Sequence, residues 1–171
     1  MFDTYQPRAV LEIRSWRPEH QGGESTLRIE GHELPRNVGV TSSEPFRILS
    51  LGPAEWLLVS NEYSAASICE RIASDLAAQG AVLVDVTDGV GVLDVRGPLA
   101  QDVLSKGCGL DFHPSVFPVG RCARTRFAQM AVIIDHIADV PSFHVYVARS
   151  YLRFLTDWIA DAAVEFNSSA I

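Results

Sequence analysis

The sequence predicts an α+β protein built from two similar halves, in which helices pack against antiparallel sheet. One unit occurs twice: "EWLLVSNEYSAASICERIASDLA" from residue 55 and "SFHVYVARSYLRFLTDWIADAAV" from residue 142. Each copy is a candidate strand, a short polar link, a serine cap and an amphipathic helix. The helices differ in sequence, so the repeat is one of structural pattern. Short strand patterns separated by Gly and Pro supply the remaining strands.

Residues 1–45 are the least regular part and predict an N-terminal arm with one or two short strands. Within this part "LRIE", from Leu27, suggests a strand, while "HQGGES" and "TSSEP" are typical of loops. Residues 46–171 are expected to form one compact domain on which the arm packs. That domain begins with the strands "FRILSL" and "WLLV", separated by the turn "GPAE".

The first helix is expected from Ser64, as its N-cap, to about Gln79, with Gly80 ending it. Its apolar positions recur at helical spacing and predict a buried stripe of Ala65, Ile68, Ile72 and Leu76.

The second half continues with the strands "VLVDV" and "VGVLDV" and a short helix from Pro98 to Lys106. The strands "CARTRF", "AVIID" and "FHVYV" follow. Ser150 is expected to cap the last helix, whose buried stripe is Leu152, Leu155, Ile159, Ala162 and Phe166.

The composition of the 171 residues, 47% hydrophobic and 20% charged, is that of a globular protein. A net charge of −7 without a basic cluster disfavours nucleic acid and anionic membrane surfaces as partners. We expect no membrane span, because no apolar run reaches roughly 18 residues, and no secretory signal. Three widely spaced cysteines argue against a disulfide framework and favour the cytoplasm.

Cys108, Asp111 and His113 are the residues whose spacing most resembles a reactive centre. A structural zinc site needs four ligands, and no second pair of candidates is present. A cysteine nucleophile needs a base brought close in space, which spacing along a loop cannot establish. The favoured interpretation is structural: Asp111 caps local amides and Cys108 packs as a small hydrophobic residue.

Other candidates also favour structural interpretations. Asp85, Asp88 and Asp94 lie on or between adjacent predicted strands, where a solvated sheet face or turn accounts for them. Trp56 and Trp158 sit in apolar patterns that predict core packing. Arg124 and Arg126 alternate along one strand, as on a solvated edge. We therefore expect no catalytic, cofactor-binding or metal-ligating residues on this chain, and a colourless, metal-free protein.

The stretch "LVDVTDGVGVLDVRGPLAQDVLSKGCGLDFHPSVFPVGRCART" resembles the gamma subunit family of heterotetrameric sarcosine oxidases. "LGPAEWLL" before it and "FHVYVARSYLRFLTDWIADAAVEF" after it agree in order, so the resemblance covers most of residues 50–166. Its most specific features are the "KGCxLDxHPxxFPxG" run and the "RS" that opens the last helix.

The resemblance implies two swapped ferredoxin-like halves, similar to the folate-binding domain of aminomethyltransferases. It also implies a structural subunit of a complex that oxidises sarcosine to glycine and hydrogen peroxide. That complex passes the methyl carbon to tetrahydrofolate or releases formaldehyde. The implied partners are alpha, beta and delta subunits, which carry FAD, FMN, NAD, tetrahydrofolate and zinc.

The sequence departs from the aminomethyltransferases at two motifs. Their "DVSHMG"-like turn is replaced by Asp85–Val90, and their "IIDD" by "IID", ending at Asp135 and followed by His136. No folate site is therefore carried over to Asp135. Two alternatives stay open: an independent folate-binding aminomethyltransferase-like enzyme, and the equivalent subunit of another N-methyl amino acid demethylase.

The signature loop, residues 108–117, is expected to be structural or a subunit interface. Its candidate residues are Cys108, Asp111, His113, Pro114 and Phe117. Because loops lie mostly at the surface, we expect the Phe117 side chain to meet a partner subunit.

Overall fold

The computed structural model describes residues 2–17, 26–43 and 45–167, and the chain divides into two units. The first contains residues 1–6 and 88–171, and the second residues 7–87. The elements are, in order, β1 (Phe2–Tyr5), β2 (Ala9–Ser15), β3 (Arg28–Ile29), β4 (His32–Glu33), β5 (Thr41–Ser42), β6 (Arg47–Gly52), β7 (Glu55–Ser60), α1 (Ala65–Ala78), β8 (Ala81–Asp85), β9 (Val90–Arg96), α2 (Ala100–Ser105), β10 (Cys122–Phe127), β11 (Met130–Ala138), β12 (Ser142–Ala148) and α3 (Leu152–Asn167). The segment "HQGGES" lies outside the described residues.

The first unit is an antiparallel five-stranded sheet in the order β1-β9-β12-β11-β10. Its edge strand β1 comes from the N-terminus and pairs with β9, Phe2 lying opposite Val95. Side chains from one face of the sheet, α2 and α3 form the core, which includes Val145, Leu155 and Ile159. The alternation of "FHVYV" explains this arrangement, because Phe143, Val145 and Val147 point to one face and are all buried.

The second unit has a sheet in the order β5-β6-β7-β2-β8 and a separate β3-β4 hairpin. Strand β2 pairs with both β7 and β8, and its residues Ala9, Leu11 and Ile13 are fully buried. The described residues among 1–45 therefore do not form a separate arm, since β1 belongs to the first unit and β2 to the second. The expected boundary at residue 45 is corrected to the crossings after residues 6 and 87. The alternation of apolar and polar residues in "VLEIR" could have predicted β2 as a strand. The strand expected at "LRIE" is confirmed as β3.

Helix α1 confirms its predicted signals. The Ser64 hydroxyl accepts from the Ser67 backbone N–H at 3.3 Å, and the four predicted stripe residues are buried. Gly80, just beyond the helix, has a φ of +81°, a conformation that glycine adopts without strain.

Helix α3 begins differently from its prediction. Residues 149–151 form a turn of 3₁₀ helix, so Ser150 lies inside that turn and does not cap the α-helix. The buried stripe is confirmed, with Leu155 and Ile159 at 0% exposure and Leu152, Ala162 and Phe166 packed beside them.

The predicted fold class, two halves with antiparallel sheets and packed helices, is confirmed. No helix in the described ranges is long and apolar enough to cross a bilayer.

Candidate functional site

The signature loop follows α2, and hydrogen bonds to α2 and to the β10–β11 turn hold it against the first unit. The side-chain amide of Gln101 donates to the Phe112 carbonyl at 3.0 Å, and the Cys108 backbone N–H donates to the Leu104 carbonyl at 3.2 Å. The backbone N–H of Ala128 donates to the Gly107 carbonyl at 2.9 Å. These hydrogen bonds order the loop.

Cys108 points inward from this loop. It is 7% exposed and belongs to the core of the first unit. Its Sγ atom lies 3.6 Å from the Thr125 hydroxyl on β10. This is the packing expected of a small hydrophobic residue.

Asp111 and His113 point outward and shape the turn. The Asp111 carboxylate accepts from the His113 backbone N–H at 2.9 Å, as expected of a local cap. His113 Nδ1 lies 2.7 Å from the Ser115 hydroxyl, and its carbonyl accepts from the backbone N–H groups of Val116 and Phe117. Asp111, His113 and Pro114 are all exposed. Cys108, Asp111 and His113 thus contact different partners, and the loop presents Asp111, His113 and Pro114 to solvent.

Phe117 corrects the sequence-based expectation. It is 4% exposed and packs edge-on against Phe112, with ring centroids 6.0 Å apart. Phe112 packs in the same way against Phe143 of β12. The side chain folds back into the core and does not form a free interface surface. Val116, next to it, is 55% exposed.

His136 holds the loop in place, and the sequence interpretation missed this role. Its ring stacks on Phe143 at 4.4 Å between centroids and lies parallel to the ring of Phe117. Nδ1 lies 2.8 Å from the Phe117 carbonyl oxygen, and Nε2 lies 3.1 Å from that of Ala138. A ring nitrogen that carries a proton donates to these acceptors. The signal was the histidine that follows "IID" where the aminomethyltransferases have a second aspartate.

Asp135 is buried on the strand that carries His136. Its exposure is 0%, and its cross-strand neighbours are Cys122 on β10 and His144 on β12. The described structure thus places the remaining acid of the "IID" motif inside the protein. His144, beside it, has its Nδ1 atom 3.0 Å from the Tyr5 hydroxyl.

The carboxylates Asp85, Asp88 and Asp94 do not share a sheet. Asp85 ends β8 in the second unit, and its carboxylate accepts from the Thr87 hydroxyl at 2.6 Å. Asp94 is on β9 in the first unit, where it pairs with Arg96. The prediction of adjacent strands is therefore corrected, because β8 and β9 enter different sheets.

Trp56 and Trp158 pack in apolar surroundings, as expected. Trp56 is 4% exposed and its indole N–H donates to the Pro35 carbonyl at 2.8 Å. Trp158 packs edge-on against Phe127. Arg124 and Arg126 are exposed on β10, an edge strand of its sheet.

Cys69, on α1, is half-buried, whereas Cys108 and Cys122 are buried. Burial raises its pKa, and the charge of Asp85 raises that pKa further. The thiol is therefore held in its protonated form at neutral pH, which disfavours a nucleophilic role.

Arg149, in the "RS" that opens the last helix, ties together both points at which the chain crosses between units. The chain leaves the first unit after Gln6 and returns at Asp88. The Arg149 guanidinium donates to the carbonyls of Asp88 at 2.7 Å and Val90 at 3.0 Å, and to the side-chain oxygen of Gln6. The planar guanidinium of arginine can donate several hydrogen bonds at once in this arrangement, which the ammonium of lysine cannot match.

A groove, called here the signature groove, lies between α2 and the signature loop. It has a volume of about 460 Å³ and is lined by Gln101, Asp102, Ser105, Cys108, Gly109, Leu110, Asp111, Phe112 and His113. Its formal charges are the carboxylates of Asp102 and Asp111, and no lysine or arginine is among the described lining residues. The groove therefore suits a positively charged group.

Sequence comparisons point to one family. The model of the "Sarcosine oxidase, gamma subunit family" matches residues 24–165. The sarcosine oxidase gamma subunit of Corynebacterium sp. (strain P-1) is 30% identical over 143 residues, covering 82% of this chain and 69% of that protein. The corresponding Arthrobacter sp. subunit is 29% identical with the same coverage.

Solved structures agree. A chain of heterotetrameric sarcosine oxidase from Corynebacterium sp. U-96, in complex with pyrrole 2-carboxylate, is 26% identical with a TM-score of 0.85. The match covers 97% of this chain and 84% of that one. Aminomethyltransferase T from Bartonella henselae is 12% identical with a TM-score of 0.58, covering 88% of this chain and 42% of that one. This second likeness concerns the fold alone.

Proposed function

The chain belongs to the sarcosine oxidase gamma subunit family, and from that membership we propose that it is a non-catalytic structural subunit of a multimeric sarcosine oxidase. Its partners in this proposal are the alpha and beta subunits, together with a delta subunit, which carry the flavins, NAD, folate and zinc. The complex would demethylate sarcosine oxidatively to glycine. We propose the cytoplasm as its location.

The observation that carries the proposal is the similarity to a chain of the heterotetrameric enzyme over nearly the whole length of this protein. The contacts of the candidate residues support a structural role. Cys108 is in the core, and Asp111 caps the turn. His136, the residue after Asp135, contacts the Phe117 carbonyl and holds the end of the loop.

A co-purification experiment tests the proposal. The tagged chain is co-expressed with candidate flavoprotein subunits, and we expect it to capture them with their flavin absorbance in a fixed ratio. Sarcosine turnover by the captured complex identifies the substrate, whereas turnover of only another N-methyl amino acid favours the related demethylase. A chain that stays alone and binds reduced folate stoichiometrically contradicts the proposal and favours the enzyme alternative.

We further propose that the signature groove contacts a basic segment of a partner. Asp102→Lys should weaken capture of the flavoprotein subunits by about tenfold, because like charges then face each other across the contact. Binding is measured by titration of the purified partner at two salt concentrations. Asp75→Lys, the same change at an exposed position of α1, is the matched control. Equal affinity of both variants and wild type contradicts this contact.

Replacement of Cys108 by alanine should leave sarcosine turnover of the complex within about threefold of wild type. Removal of a nucleophile instead lowers turnover by several orders of magnitude. Turnover is measured at equal subunit content, with Cys69→Ala as the control. A collapse of turnover in an intact complex would overturn the structural role of Cys108.

A further inference from the structure

His136 is a buried histidine whose two ring nitrogens both face main-chain carbonyl oxygens. The residue is 3% exposed. Nδ1 lies 2.8 Å from the Phe117 oxygen, and Nε2 lies 3.1 Å from the Ala138 oxygen. The second contact falls where the register between β11 and β12 shifts, between His136 and Ala138. Both ring nitrogens therefore meet groups that can only accept hydrogen bonds.

The number of protons on the ring decides how many of these contacts are hydrogen bonds. A neutral imidazole donates from one nitrogen and accepts at the other, whereas the imidazolium donates from both. In the neutral form, one nitrogen lone pair faces a carbonyl oxygen with no proton between them. Only the imidazolium bonds to both carbonyls, and hydrogen bonds from a charged donor are the stronger kind.

Two phenylalanine rings lie close to parallel with the imidazole. The Phe143 centroid is 4.4 Å away at an interplanar angle of 21°, and the Phe117 centroid is 6.2 Å away at 6°. The face of an aromatic ring attracts a cation, whereas burial away from water disfavours one. The stacked rings and the two carbonyls therefore offset part of the cost of a buried imidazolium.

Ionisable side chains are present on every element that packs against the ring. Asp135 of β11 and His144 of β12 adjoin His136 and Phe143 in sequence, so they point to the opposite face of the sheet. The others, on the signature loop, after it and just beyond β11, are exposed or half-buried: Asp111, His113, Arg121 and Asp139. Histidine side chains change charge between about pH 5 and 8, so a test must separate His136 from His113 and His144.

The backbone of His136 holds the segment that follows Phe117. The His136 N–H donates to the Arg121 carbonyl at 2.9 Å, and the Gly120 N–H donates to the His136 carbonyl at 3.1 Å. Together with the side-chain contact to Phe117, these bonds join His136 to three residues of the loop exit, defined as residues 117–121. A change in the ring contacts is therefore expected to alter the stability of the loop exit.

We propose that His136 is a proton-dependent switch for the loop exit. The imidazolium form holds residues 117–121 firmly against β11, and loss of one proton removes a hydrogen bond and loosens them. The added stability is present at low pH and is lost as the pH rises, because the second hydrogen bond exists only in the protonated form. The proposal concerns the chain by itself, so it succeeds or fails separately from the proposed function.

Amide hydrogen exchange of the full chain, followed by NMR at about pH 5 and about pH 8, tests this switch. After correction for intrinsic exchange rates, the Gly120 and His136 amides should be protected at least about tenfold more at the lower pH, the effect of one hydrogen bond from a charged donor. Nitrogen spectra of the His136 ring should show two protonated nitrogens at the lower pH and one at the higher pH.

His136→Gln keeps a donor but does not change charge in this pH range, so its loop exit should be protected equally at both values. His32→Gln, the same change at an exposed position of β4, is the matched control and should keep the wild-type difference. A difference that survives in folded His136→Gln belongs to another group and overturns the proposal. If His136→Gln does not fold, the wild-type data decide, because equal or lower protection at the lower pH also overturns it.

Discussion

Phe117→Asp is expected to unfold the isolated chain, or to lower its melting temperature by more than about 10 °C. Loss of a buried phenylalanine typically costs about 3–5 kcal/mol, and burial of an unpaired carboxylate adds to that cost. Because small domains are stable by only about 5–15 kcal/mol, the substitution removes most of the free energy of unfolding. The aspartate would lie against Phe112 and His136 in an aromatic cluster.

The matched control is its neighbour Val116, which is 55% exposed. Val116→Asp should change the melting temperature little, because exposed substitutions usually alter stability by less than about 0.5 kcal/mol. Circular dichroism melts of the two variants and wild type make the comparison. If Phe117→Asp melts like Val116→Asp, Phe117 is a surface residue and the core placement is wrong.

Gly107→Ala is expected to destabilise the protein by about 2–3 kcal/mol, since overpacking a core typically costs about 1–3 kcal/mol. A Cβ atom at this position would lie 2.6 Å from Phe127 Cζ and 2.7 Å from Trp158 Cη2. These rings pack edge-on with centroids 4.8 Å apart, so neither can move aside without disturbing the other. The Gly107 carbonyl also accepts the Ala128 backbone N–H, which limits movement of the loop.

Gly109 provides the control for this substitution. A Cβ atom there meets nothing within 4 Å. Gly109→Ala should therefore melt within about 2 °C of wild type, whereas Gly107→Ala should melt roughly 4–12 °C lower. Equal melting temperatures of the two variants would show that the aromatic pair yields to the added methyl group. The two glycines therefore differ in what they permit: Gly107, just before the signature loop, allows close packing of two rings, whereas Gly109, within the loop, lies in open space.

The contacts in and around the signature loop give each of these residue types a separate structural role. Gly107 admits two aromatic rings, Cys108 fills the core, and Asp111 fixes the turn. Phe117 and His136 then fasten the far end of the loop to β11. This order leaves Asp111, His113 and Pro114 in a defined exposed arrangement. A rigid, preorganised loop loses less conformational entropy when a partner binds.

Elements whose signals are local could be predicted from the amino-acid sequence. The spacing of Ala65, Ile68, Ile72 and Leu76 predicted both the extent and the buried face of α1, because a helix repeats every 3.6 residues. Alternation along "FHVYV" predicted a strand with one buried face for the same kind of reason. The local cap by Asp111 followed from the preference of aspartate for turns.

Which segments pair and pack together depends instead on contacts between residues that are distant along the chain. Strands β1 and β2 are close in sequence but enter different sheets, and β8 and β9 separate in the same way, carrying Asp85 and Asp94 apart. Phe117 is buried because Phe112 and His136 pack against it. Phe143, from the distant strand β12, packs in turn against both of these rings. Strand pairing and burial depend on long-range neighbours, whereas propensity and periodicity report only the residue's own segment. For this reason the sequence predicted the Asp111 cap and the burial of Cys108 correctly, but it wrongly placed the Phe117 side chain at the surface.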